Sequence, residues 1–223
     1  MQVLKSAFRA CSLAGFAKLL VLYLAFSGSY VSIAQAECAK IRPTKPGEVY
    51  FMRGLANIFS LGLDAFAKEI SSLGIENCVF NHTHWQAVVN DVVERGYKNE
   101  VSEPVIIVGH SLGANIAPLM ASRIGSHGIK VYYVAMMDPV EPTRVGKNVQ
   151  QIENYYLPKA KDTLLRPTGE FDGDLRNINL KQWRQGFDHF NIDEKKSLRS
   201  IIKKRILELV ENTMQEGAAS PNN

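Results

Sequence analysis

Ser111 stands between Gly109-His110 and Leu112-Gly113, after the apolar run Val105-Ile106-Ile107-Val108 and before a stretch with helical spacing. A serine hydroxyl is a weak nucleophile until a base takes its proton. The base in turn needs a partner that fixes its tautomer and balances its charge. The chain supplies both further on. Asp138 follows the apolar run Lys130–Met137, and His189 lies in Gly186-Phe187-Asp188-His189, shortly before the last amphipathic stretch. Serine, carboxylate and imidazole together perform acyl transfer: the hydroxyl attacks a carbonyl, the imidazole carries its proton, and the carboxylate steadies the imidazolium. Asp162, in Leu157-Pro158-Lys159-Ala160-Lys161-Asp162, is the alternative acid. An Asp-Pro turn without chemistry is the other reading of Asp138.

Such residues work only if secondary structure brings them together. The glycines at 109 and 113 fit a tight strand-to-helix turn, where missing side chains let the two elements approach. That turn would expose the Ser111 hydroxyl and point the Leu112 N–H, at a helix N-terminus, toward any oxyanion. From Val49 onward strand and helix patterns alternate. Strands are expected at Val49–Met52, Cys78–Asn81, Pro104–Gly109, Lys130–Met137, Gln151–Leu157 and Leu175–Leu180. Helices are expected at Leu61–Gly74, Trp85–Tyr97, Leu112–Gly125 (with Pro118 inside it) and Asp193–Asn212. The tail from Met214 reads as frayed. The alternation implies an α/β fold, with a mostly parallel central sheet of five to six strands and helices on both faces. In such sheets reactive groups gather beyond the carboxyl ends of the strands, which is where Ser111 and Asp138 fall.

Gly109-His110-Ser111-Leu112-Gly113 resembles the nucleophile elbow of the α/β-hydrolase superfamily in its GHSLG form, common in lipases and esterases. Asp138-Pro139-Val140-Glu141-Pro142 is similar to the segment around the catalytic aspartate of lipases. The order serine, acid, histidine is the one this superfamily uses. The resemblance implies a Ser111–His189–Asp138 triad, with oxyanion donors at the Leu112 and Leu55 N–H groups and no cofactor. It spans Val49 to the final helix, in a trimmed version of the fold without the leading strands. One departure is Arg53, standing where the family often has histidine before Gly54. Leu55, Ile58, Phe59, His84 and Trp85 would line the substrate pocket. The implied activity is cleavage of a carboxylic ester, small or lipidic. Thioester hydrolysis or acyl transfer on the same fold, or a non-catalytic binding protein descended from hydrolases, are the alternatives.

The rest of the sequence sets the context. The 223 residues suffice for one domain with a core. The net charge of +4 gathers into no basic-aromatic stripe, so nucleic-acid binding is not expected. Lys195, Lys196, Arg199, Lys203, Lys204 and Arg205 read as the solvated face of a helix, with peripheral membrane contact at most. Residues 1–36 read as a signal peptide. They comprise a basic start (Lys5, Arg9, Lys18), the apolar Leu19–Phe26 and the small-residue site Ala34-Gln35-Ala36, with the hydrolase-like domain in 37–223. An uncleaved anchor is the alternative, but the apolar run is shorter than the roughly 20 residues a span needs. Export, to the periplasm or beyond, makes a Cys38–Cys78 disulfide permissible. Cys38 precedes the first expected strand and Cys78 opens the second, so a parallel sheet sets both at one edge; two unpaired thiols are the other reading. His82-Thr83-His84 lacks the further ligands a zinc site needs, so no metal is expected.

Overall fold

Apolar runs and amphipathic stretches become strands and helices in alternation in a computed structural model, which describes residues 45–55 and 61–219. In chain order these are β1 (Glu48–Arg53), α1 (Leu61–Ser71), β2 (Glu76–Asn81), a 3-10 turn (His82–His84), α2 (Trp85–Tyr97), β3 (Val105–His110) and α3 (Leu112–Ser126). Then follow β4 (Val131–Met137), β5 (Thr143–Val145), β6 (Gln151–Tyr156), β7 (Leu165–Pro167), β8 (Asp174–Asn179), a second 3-10 turn (Leu180–Trp183) and α4 (Lys196–Ala219). Six strands form one parallel sheet in the order β2-β1-β3-β4-β6-β8. The described residues lie in the compact unit Arg42–Asn223. Residues 1–36 and Cys38 are outside them.

The period-two alternation of side chains divides the core between the two faces of the sheet. On one face Val49, Phe51, Ile106, Val108 and Tyr133 pack with Phe66 and Ile70 of α1 and Leu198, Ile202 and Ile206 of α4. On the other, Met52, Val105, Ile107 and Val134 pack with Val88 and Val92 of α2 and Ala117, Met120 and Ile124 of α3. β3, the most apolar run, is buried along its whole length between β1 and β4. An interior parallel strand covered on both faces needs such a run.

The close packing of α3 on the sheet depends on glycine. A Cβ on Gly113 would lie 1.9 Å from the Met52 carbonyl oxygen, and one on Gly109 would lie 2.3 Å from the Gly113 carbonyl oxygen. Both obstacles are backbone atoms, which cannot turn aside as a side-chain tip can. Gly113→Ala is therefore expected to push α3 off β1, lowering stability by roughly 3 kcal/mol. In a protein of this size that is a fall in Tm of roughly 6–12 °C. Thermal unfolding followed by circular dichroism measures it, and an unchanged Tm would refute this packing.

Several details depart from the sequence reading. Cys78 does not open its strand; it is the third residue of β2, opposite Tyr50. β5 and β7 form a separate two-stranded parallel sheet where no strand was expected. α4 starts three residues later than expected and continues through the tail read as frayed, to Ala219. Met214, Gln215, Glu216 and Ala218 are good helix formers, so local propensity extends the helix beyond its last buried residues, Leu209 and Val210.

Candidate active site

The parallel register brings Ser111 and Asp138 side by side. β3 pairs with β4 up to His110 opposite Met137, so the next residue on each strand is Ser111 and Asp138. The ladder continues one step further: Ser111 N–H donates to the Met137 carbonyl at 3.0 Å, and Asp138 N–H donates to that of Tyr155 at 2.8 Å. Ser111 then turns sharply into α3 with φ 59° and ψ −122°. Such a conformation costs a non-glycine residue of order 1–3 kcal/mol and lifts its side chain out of the sheet. Asp138 also has a positive φ, 48°, a conformation aspartate tolerates better than most residues.

His189, on the loop between β8 and α4, joins the two. Its Nε2 is 3.0 Å from Ser111 Oγ, and its Nδ1 is 2.6 Å from Asp138 Oδ2. With Nδ1 donating to a carboxylate, the neutral ring carries its lone pair on Nε2, facing the hydroxyl. The arrangement can move the hydroxyl proton onto the imidazole and hold the resulting cation against Asp138.

Asp138 is wholly buried but well supplied with donors. Its Oδ1 accepts from the Leu157 N–H at 3.0 Å, and Oδ2 lies 2.8 Å from Lys159 Nζ as well as against His189. Burial works to raise its pKa; the hydrogen bonds from His189, Lys159 and Leu157 outweigh it and hold the carboxyl below the ordinary value. Asp162, the alternative acid, is exposed, accepts from the Leu164 N–H at 2.9 Å and pairs with Arg166. The structure brings Asp138, and not Asp162, to the imidazole.

A second buried histidine supports the first. His110 Nε2 donates to the main-chain carbonyl of His189 at 2.8 Å, tying the loop to the end of β3. Burial pushes the His110 imidazole down to about 4, so it stays neutral at physiological pH. The buried Asp193 faces it with Oδ1 4.0 Å from Nδ1, and burial pushes that carboxyl up to about 6.

The first residue of a helix has no acceptor within it, so the Leu112 N–H is available beside Ser111. Gly54 passes close over the serine: a Cβ there would lie 2.8 Å from Ser111 Cβ. His82 Nδ1 donates to the Gly54 carbonyl at 3.1 Å and braces this turn. Arg53 pairs with Asp64 of α1 and so anchors the end of β1 to that helix. Leu55, next to Gly54, is 63% exposed, and Phe190, next to His189, is 65% exposed. His84 stands half-buried before α2, and Trp85 packs against the α2–α3 core. No hydrogen bond among the described residues joins either to the Ser111 group. Ile58 and Phe59 are outside the described residues. A cavity of about 600 Å³ lies at the opposite ends of β6 and β8, bordered by Gln151, Glu153, Arg176 and Arg205. Among the described residues no group of three or more His, Cys, Asp or Glu side chains could hold a metal ion.

No family model matches the chain, and no curated protein matches it. Three supporting residues escape a reading by motif: Lys159, His82 and the clamping role of His110. Their sequence signal is position alone, each falling within three residues of the C-terminal end of a strand.

Proposed function

We propose that the protein is an exported serine hydrolase of the α/β-hydrolase type, cleaving carboxylic esters through an acyl-enzyme. The observation that carries this reading is the unbroken hydrogen-bonded chain from Ser111 Oγ through His189 to Asp138. His189 Nε2 takes the hydroxyl proton as Oγ bonds to the acyl carbon. The carbonyl oxygen, now negative, rests against the Leu112 and Leu55 N–H groups. As the tetrahedral species collapses, the imidazolium gives its proton to the departing alcohol, leaving the acyl group on Ser111. Water then enters, loses a proton to His189 and releases the carboxylic acid and the free serine. The strained backbone at Ser111, the glycine above it and the exposed Leu55 and Phe190 support an open site for an apolar acyl group. Residues 1–36 support export, and with it a Cys38–Cys78 disulfide.

Turnover of matched oxygen esters and thioesters of increasing chain length, followed at pH 7.5, tests the reaction class. The expected result is a rapid burst of alcohol release from oxygen esters, equal in amount to the enzyme. Faster turnover of thioesters would reassign the protein to thioester chemistry. Failure to cleave either would favour a binding protein.

A further inference from the structure

Asp138 Oδ2 receives a second donor that the relay does not require. Lys159 Nζ lies 2.8 Å from it and also donates to the Pro139 carbonyl at 3.3 Å. The lysine is delivered by the strand that follows: β6 ends at Tyr156, Leu157 N–H binds Asp138 Oδ1, and Lys159 closes over the other oxygen. Lys161 pairs with Glu141 on the same turn. Residues 157–161 are thus fastened along 138–141 at several points. The lysine side chain is 30% exposed while the carboxylate is wholly buried, so Lys159 is the solvent-side cover of the acid.

We propose that Lys159 is a positioning residue for the ester hydrolysis put forward above: it locks the Asp138 carboxylate and offsets part of its charge, so that activity persists into more acidic solution. The inference rests on that functional reading. A carboxylate shared with a fixed ammonium group attracts an imidazolium less strongly than one left to the imidazole alone. Protonation of the resting base is thereby opposed, and the serine keeps its proton acceptor at lower pH.

The groups facing His189 come from four elements. Asp138 follows β4, Lys159 follows β6, and His110 ends β3, its ring centroid 5.2 Å from that of His189. In its own loop, Asp188 turns its carboxylate onto the N–H groups of Phe190 and Asn191. Asp193 faces His110. Only Lys159 differs between the wild type and the variants below, so a displacement between their profiles reports on it alone.

The test is kcat/KM for a p-nitrophenyl ester from pH 4 to 9 in the wild type and in Lys159→Met, Lys159→Gln and Lys159→Arg. Met and Gln are expected to move the acid limb upward by about one pH unit, while Arg keeps it near the wild-type position. An acid limb unmoved in Met and Gln would overturn the proposal and leave Lys159 a tether of its loop. If Met does not fold, Gln against Arg decides the same question. Fluorophosphonate labelling of each preparation separates the two levels. A wild type that neither labels nor turns over ester removes the hydrolase reading and this inference with it. A labelled, active wild type with unmoved variant profiles removes only the inference.

Discussion

Ester turnover is expected to fall by a factor on the order of 10⁵ when Ser111 is replaced by alanine. The substitution removes Oγ, the proposed nucleophile, 3.0 Å from His189 Nε2. It leaves Cβ in place, so the packing against Gly54 persists and the fold should be retained. Activity should not reach zero, because donors at Leu112 and Leu55 could still bind an oxyanion as water attacks. Steady-state kinetics on the purified variant, with circular dichroism to confirm folding, measure the loss. Turnover within tenfold of wild type would show that another group does the chemistry.

Asp138→Asn is expected to cost about 10⁴ in kcat, while Asp162→Asn stays near wild type. An amide at 138 would offer Nδ2–H or Oδ1 to an imidazole that needs a carboxylate, favouring the wrong tautomer and leaving the imidazolium without its counter-charge. It would also strip Lys159 of its ion pair. Stability follows a definite sign. The folded pKa of Asp138 is depressed, so its stabilising contribution is fully present above the unfolded value near 3.9 and fades as pH falls through the lower, folded value. Asp138→Asn should therefore be less stable than wild type at neutral pH, and the gap should narrow in strong acid. Asp162 is exposed and bound to its own turn and to Arg166, so Asp162→Asn leaves the Ser111–His189–Asp138 contacts in place. Equal losses in the two variants, or a larger one at Asp162, would reverse the assignment of the acid.

Much of this geometry was legible because local patterns carry it. A fully apolar run ending in Gly-His-Ser-Leu-Gly dictates a buried strand, a tight turn and a helix, and β3, Ser111 and α3 follow within a residue of that reading. The place of Asp138 follows from parallel pairing, since one register step beyond His110 and Met137 sets it beside Ser111. His189 was legible by order along the chain, not by any local pattern. What stayed hidden depends on contacts remote in sequence. β5 and β7 are three-residue strands, Thr-Arg-Val and Leu-Arg-Pro, too short for alternation to register. Lys159 reads as one more surface lysine until the end of β6 swings it onto the acid. His82 and His110 read as spare imidazoles until the Gly54 and His189 carbonyls are found opposite them.

The most direct measurement is intact-protein mass after brief exposure to a fluorophosphonate, with peptide mapping, in wild type and in His189→Ala. One phosphonyl group is expected on the wild type, on Ser111, with labelling slowed at least a thousandfold without the imidazole. An unlabelled wild type, or a Ser111 that labels equally fast when His189 is gone, would contradict the view that this histidine makes the serine a nucleophile.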